Sequence, residues 1–201
     1  MPHRAPAARL AGLLLAFALW TTVGVASAEV PNPTIEVPTT EGGGIHLLGT
    51  TTFDFADAGY VEAEYFMSGV ARAYTSAEPL TSDGTWTATV GETMPYKTRI
   101  LVYRPEKKRA FNGTVIVEWL NVSGGTDAGP DWTLMHTELV REGYVWVGGS
   151  AQYVGVEVGS GLVDALSLPL QEASPAGYGS PHHPGGRFPA GVLFVDLPPS
   201  R

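Results

Sequence analysis

Residues 114–149 read TVIVEWLNVSGGTDAGPDWTLMHTELVREGYVWVGG, and this stretch decides the fold. The almost continuous apolar run at 114–120 predicts a strand buried on both faces. Residues 144–149 predict a second buried strand. Between the two strands, apolar residues recur at the spacing of a helix. Strand, helix and strand within about 40 residues form a βαβ unit with parallel strands and a right-handed crossover. The predicted fold class is therefore α/β.

The predicted helix carries signals at both ends. Pro130 suits the first helical position, where its missing N–H is not needed. The negative charge of Asp131 in the first turn is favourable with the helix dipole. Gly143 suits the left-handed residue that follows a helix. One face of the helix is predicted to carry Trp132, Met135, His136 and Leu139.

The residues before this unit predict an antiparallel, β-rich lead-in. Residues 60–67 and 70–74 mostly alternate between polar and apolar and contain aromatics, which predicts two strands. A further short strand is predicted at 85–90, and another at 99–105, where proline stops it. Asn112-Gly113 is a strong hairpin-type turn signal when strands flank it.

The N-terminus has the pattern of a secretory signal peptide. Arg4 and Arg9 precede an apolar run at 10–20, and small residues follow, ending at Ala28. The run is short for a transmembrane helix, which needs about 20 apolar residues. We expect cleavage after Ala28 and a secreted or periplasmic protein without stable membrane insertion; an uncleaved anchor is the alternative.

Composition excludes several classes of site and partner. The chain has no cysteine, which excludes disulfides and thiolate metal sites. The net charge is −8, and signal removal takes away two of the 12 basic residues and none of the 20 acidic ones, leaving about −10. This balance argues against nucleic acid and anionic membrane surfaces as partners. No cofactor or metal is predicted, and the oligomeric state stays open.

The loop at 121–129 is the candidate functional element. It follows the carboxyl end of a predicted parallel strand, where open α/β sheets place ligands, and it leads to a helix N-terminus with unpaired N–H groups. Such a loop can form an oxyanion hole, in which backbone N–H groups stabilise a developing negative charge. The candidate donors are Asn121, Val122, Ser123 and Gly124. The alternative is a tight strand-to-helix connection without function.

No convincing nucleophile follows from the pattern. G-x-S-x-G does not occur, and the loop lacks the residues of a P-loop or a dinucleotide fingerprint. Ser123 is disfavoured, because an elbow serine is followed directly by its helix. Ser150 is predicted to end a strand, and His136 to lie on a helix face. His182-His183 is predicted to be a solvated pair rather than a metal site, since no third ligand is near.

Several stretches resemble a bacterial α/β-hydrolase-domain family. The likeness lies in YVEAEYFMSGVARAY, in TRILVYRP, and above all in FNGTVIVEWLNVSGGTDAGPDWTLMHTELVREGYVWVGGSAQYVGVE. Together they cover roughly half of the chain. The resemblance implies an α/β-hydrolase fold and hydrolysis of a small-molecule ester or amide. It also implies that residues 121–124 supply one oxyanion donor.

The resemblance predicts a nucleophile elbow downstream of YGSPHHPG, followed by an acid and a histidine. After Phe188 the likeness is lost. We therefore expect a signal peptide at 1–28, a Pro/Thr/Gly-rich leader at 29–58, the N-terminal part of a hydrolase-like domain at 59–188, and a divergent tail at 189–201 that a frame-shift would explain. The expected product is truncated before its nucleophile and inactive. Two alternatives are a non-catalytic extracellular binding module and a product without a stable fold.

Overall fold

The computed structural model describes residues 32–37, 45–49, 51–79, 81–157, 163, 167–181 and 195–196. The signal peptide and the His182-His183 pair lie outside these residues. The strands are β1 Thr34–Glu36, β2 Tyr60–Thr75, β3 Thr89–Pro105, β4 Val115–Trp119, β5 Val145–Gly149 and β6 Val195–Asp196. The helices are α1 Pro130–Arg141, α2 Tyr153–Val156, α3 Leu170–Ala173 and α4 Pro175–Tyr178, with a 3-10 turn at Lys108–Ala110.

The strands form one mixed sheet in the order β1-β2-β3-β5-β4, and β6 also pairs with β2. Only β4 and β5 are parallel, from Val115 opposite Val145 to Trp119 opposite Gly149, and α1 connects them. The other strand pairs are antiparallel. The predicted α/β class is confirmed, with the βαβ unit at one end of the sheet and the antiparallel lead-in at the other.

The lead-in is one long hairpin rather than several short strands. β2 and β3 stay paired from Tyr60 opposite Pro105 to Thr75 opposite Thr89, with a register shift between Arg72 and Tyr74. The predicted break between residues 67 and 70 is therefore wrong. Hydrogen bonds to the neighbouring strand keep a strand continuous at positions where its alternation of polar and apolar residues is weak.

The hairpin predicted at Asn112-Gly113 is also wrong. Gly113 has a φ of 94°, as a tight turn requires, and the Thr114 N–H donates to Asn112 Oδ1 at 2.9 Å. However, β5 lies between β3 and β4, so the strands on either side of this turn are not neighbours. A turn signal describes the local backbone, whereas strand order depends on which strand fills the space between.

The core lies between α1 and one face of the sheet. Its fully buried members are Leu101, Tyr103, Leu120, Trp132, Leu139 and Trp146. Two of the four residues predicted for the inner face of α1, Trp132 and Leu139, belong to this cluster, and His136 is buried beside them. Met135 is 46% exposed, so its prediction is wrong. Fewer residues of α1 are buried than predicted, because the helix packs against the sheet with a narrow face.

The predicted burial of β4 on both faces is wrong. Val115, Val117 and Trp119 are 49%, 73% and 63% exposed, whereas Glu118 on the opposite face is 4% exposed. Among the described residues β4 pairs with β5 alone, so it is the last strand of the sheet. A continuous apolar run is typical of a strand covered on both sides, but the sequence does not say which side of this strand is covered.

Candidate functional site

The loop after β4 is closed at its base. Asn121 and Ala128 exchange two backbone hydrogen bonds, each 2.8 Å long, which bring the two ends of the loop together. Within it, the Gly125 N–H donates to the Val122 carbonyl at 2.9 Å, and Gly125 has a φ of 74° that favours glycine. The loop is therefore a compact turn at the carboxyl end of a parallel strand.

Further contacts hold the tip of the loop. The Asn121 side-chain oxygen accepts from the Ser123 N–H at 2.9 Å. The carbonyls of Ser123 and Gly125 accept from the N–H groups of Val163 and Leu168 at 3.1 and 3.2 Å. Local and distant parts of the chain together fix the orientation of its peptide groups.

Two N–H groups at the N-terminus of α1 have a partner, whereas the sequence predicted unpaired N–H groups there. Buried Glu118 on β4 accepts from the N–H groups of Asp131 and Trp132, both at 2.9 Å, and from the Trp146 indole N–H at 2.9 Å. A carboxylate at this end satisfies unpaired donors and opposes the positive end of the helix dipole. The helix end is therefore capped from within the core.

Arg99 on β3 anchors the loop through its hydrogen bonds, and its side chain is completely buried. Its Nη2 donates to Asp127 Oδ2 at 2.7 Å, and its Nε donates to Ser150 Oγ at 3.0 Å. Its Nη1 donates to the His46 carbonyl at 2.6 Å and more weakly to Glu64 at 3.4 Å. A buried guanidinium is stable only when it is paired and hydrogen-bonded, and here every nitrogen has an acceptor.

Asp127 links this anchor to the loop. Besides the ion pair, its Oδ2 accepts from the Ser150 hydroxyl at 2.5 Å, and its backbone carbonyl accepts from Leu48 at 2.8 Å. Its Oδ1 is buried, and no described residue donates to it. That oxygen lies against Gly155, where a Cβ atom would approach it to 2.3 Å. Asp127 is thus clamped between β3, β5 and the short helix α2.

The anchor extends to α4 through Glu64. The Tyr178 hydroxyl donates to Glu64 Oε1 at 2.7 Å. Burial, and then this hydrogen bond, raise the pKa of Tyr178 to about 12, so the phenol keeps its proton at physiological pH. Two carboxylates therefore flank Arg99, and a neutral phenol supports one of them.

A family model described as an alpha/beta hydrolase domain matches residues 32–196, which include the sheet, α1 and the anchored loop. The chain belongs to this α/β-hydrolase domain family. No curated protein and no solved structure matches it. The matched span includes β6, which pairs with β2. β6 lies within residues 189–201, the stretch predicted to be a divergent tail. The boundary of that tail stays a prediction.

The described part of the hydrolase domain forms no serine–histidine–acid set. The Ser150 hydroxyl is fully buried and engaged by Arg99 and Asp127, as suits a strand-end residue. His136 Nδ1 lies 3.1 and 2.9 Å from the carbonyls of Trp132 and Thr133 on its own helix. Ser123 is exposed on the loop. Nor do the described residues contain a group of side chains that could hold a metal ion.

Sequence reasoning missed the two buried charges that organise this hydrolase domain. Arg99 shares a strand face with Leu101 and Tyr103, since side chains two apart point the same way. Glu118 interrupts the apolar run of β4. A lone charge on an apolar strand face is the signal that could have revealed each of them, because such a charge is buried only with partners.

The hydrolase domain also contains a cavity of about 600 Å³ beside α1. Described residues from 45–49 and 51–56 form one wall, and residues of β2, β3 and Trp132 form the others. No residue of the loop at 121–129 lines it. The cavity is therefore separate from the candidate oxyanion loop.

Proposed function

We propose that this chain is an exported hydrolase-domain protein that is inactive as it stands. Its loop would donate a backbone N–H to the oxyanion of ester or amide hydrolysis in a longer form that carries the nucleophile. The observation that carries the proposal is the buried bond from Arg99 to Asp127, which anchors the loop at the carboxyl end of β4. Donors held rigidly in place stabilise a developing charge without reorganising during the reaction.

The contacts within the loop favour Gly124 as the donor. The N–H of Ser123 is engaged by Asn121 and that of Gly125 by Val122. No described residue accepts from the N–H of Gly124, which is half-buried and has no side chain to block a substrate. The Val122 N–H is the second possibility, but its side chain is buried in the domain.

Catalysis also requires a nucleophile and a base, and we infer that neither comes from the described residues. The outer edge of β4 favours the addition of a further strand there. Val145 N–H donates to the Thr114 carbonyl and Leu120 N–H to the Gly149 carbonyl, so even-numbered residues of β4 face β5. The peptide groups of Val115, Val117 and Trp119 consequently point outward, which is a template for strand pairing.

The first test is hydrolysis of activated esters by the purified chain. We expect no turnover that a serine-directed inhibitor abolishes, because serine, base and orienting acid must meet. Inhibitor-sensitive turnover would overturn this part of the proposal. Translating the coding DNA beyond the codon for Phe188 in all frames then tests whether an elbow serine is encoded; its absence would contradict the frame-shift idea.

The oxyanion role is tested in any longer form that carries the elbow. Gly124→Pro removes the N–H, and we expect kcat to fall by roughly 10²–10³-fold, as for the loss of one oxyanion donor. Gly124→Ala keeps the N–H and serves as the matched control, with melting temperatures showing that both variants fold. Equal kcat values for the two variants would exclude Gly124 as the donor.

A non-catalytic extracellular binding module is the second candidate, and the cavity beside α1 favours it. A saturable ligand without turnover is the result expected from this alternative. Export itself is tested by the mass of the mature protein, which we expect to begin at Glu29. Within the part of the chain that the structure describes, no helix is long and apolar enough to cross a membrane.

A further inference from the structure

The cavity beside α1 has aromatic walls. Phe55 lines the cavity, with its ring centroid 4.7 Å from that of Tyr103 and 5.9 Å from that of Trp132, against which it stacks. Phe53 and Tyr60 complete the aromatic lining. The faces of aromatic rings are negative and attract cations within about 6 Å.

Among the described residues that line the cavity, the charged groups all have one sign. They are the exposed carboxylates of Asp54 and Glu62, and no described lysine, arginine or histidine lines it. Asp54 Oδ1 accepts from the Ala56 N–H at 2.7 Å, which fixes the turn that carries it. Burial, and next the neighbouring Glu62 carboxylate, raise the pKa of Tyr103, so this hydroxyl stays neutral beside the acid. Tyr103 donates a hydrogen bond to Glu62, but no described lining residue carries a positive charge that would neutralise either carboxylate.

A third acceptor lies behind the aromatic wall. The His136 ring packs 5.5 Å from Phe53 and 5.9 Å from Trp132. Its Nδ1 faces two carbonyls, which can only accept, so in the neutral ring Nδ1 carries the proton and Nε2 keeps its lone pair. Nε2 is buried, and no described residue is bonded to it.

We propose that this cavity binds a small organic cation, with an ammonium group held between Glu62 and the aromatic faces. A volume of about 600 Å³ suits a small molecule, and apolar walls with a few polar groups are typical of such sites. Aromatic walls alone would accept a neutral apolar ligand equally well. The two carboxylates select the cation, since no described lining residue is basic. The inference does not depend on the proposed hydrolase activity.

The test is a titration of the full chain with choline and with dimethylbutanol, its neutral carbon isostere. Binding is followed by the NMR signals of the Trp132 indole and the Leu47 methyl groups, which both line the cavity. We expect choline to shift these signals saturably and to bind at least about tenfold more tightly than the isostere. Equal affinities, or no saturable shift at these residues, would overturn the proposal.

Two charge-neutralising variants distinguish the effect of the cavity carboxylate on choline affinity from the effect of the protein's net charge. Glu62→Gln removes a carboxylate of the cavity, and we expect choline affinity to fall about fivefold, the size of one partly solvated charge interaction. Glu92→Gln makes the same change at an exposed position near the other end of the β2–β3 hairpin. We expect it to leave the affinity unchanged. Equal losses in both variants would show that only the overall charge matters.

Discussion

Glu118→Gln is the substitution that most directly tests how the βαβ unit is held together. The Glu118 carboxylate is 4% exposed and accepts three N–H donors, two from the first turn of α1 and one from the Trp146 indole. Glutamine has nearly the same shape but only one acceptor oxygen. Its NH₂ group faces at least one of these donors, so a buried N–H loses its partner.

The expected cost follows from these three bonds. One buried donor left without an acceptor costs ~1–3 kcal/mol. Loss of the negative charge at the N-terminus of α1 adds ~0.3–1 kcal/mol from the helix dipole. We therefore expect Glu118→Gln to lower the free energy of unfolding by about 1–4 kcal/mol.

Urea unfolding followed by tryptophan fluorescence measures this loss, because Trp132 and Trp146 are both buried. Glu138→Gln is the matched control: Glu138 is exposed on α1 and pairs with Arg141. Exposed pairs of this kind contribute about 0–1 kcal/mol. If the two variants lose equal stability, the three hydrogen bonds of Glu118 do not contribute the expected free energy of unfolding, and the reasoning is refuted.

Three further predictions concern packing, pH and the open edge. Gly155→Ala places a Cβ 2.3 Å from Asp127 Oδ1, and we expect a loss of ~1–3 kcal/mol in thermal melting. Gly149→Ala is the control: a Cβ there would lie 3.9 Å from its nearest neighbouring atom, so this variant should melt like the wild type. Because the pKa of Tyr178 is raised from 10.0 to about 12, its proton-linked stability is fully present below pH 10.0 and is lost as the pH rises through about 12. Urea midpoints across this range should fall less steeply for Tyr178→Phe; identical slopes would contradict the assignment. Trp119→Thr removes an aromatic side chain from the exposed edge strand, and light scattering should show weaker concentration-dependent association than for the wild type.

Much of the fold could be predicted from local patterns. α1 begins at Pro130 and ends just before Gly143, whose φ is 74°, because both residues act through their own backbone geometry. The parallel pairing of β4 and β5 follows from the helix between them. The same reasoning placed the candidate loop at the carboxyl end of β4. These features depend on neighbours in the sequence, which a single sequence displays.

The partners within the site could not be predicted in this way. Arg99 reaches Asp127 across 28 positions and Ser150 across 51, while Tyr178 and Glu64 are 114 apart. The local pattern can mark Arg99 as a buried charge, but it does not name the partners of that charge. The bonds of Arg99 form because the strand order places the middle of β3 beside the end of β5, close to the loop.

The sequence by itself determined the α/β class, the limits of α1 and the loop at the end of β4, since propensity, capping and periodicity act over a few residues. The tertiary structure alone decided that Glu118 caps α1, that Arg99 anchors Asp127, and that β4 is an edge strand with one exposed face. The physical reason is that a buried charge is stable only beside its partner, and the sheet brings those partners together from distant parts of the chain.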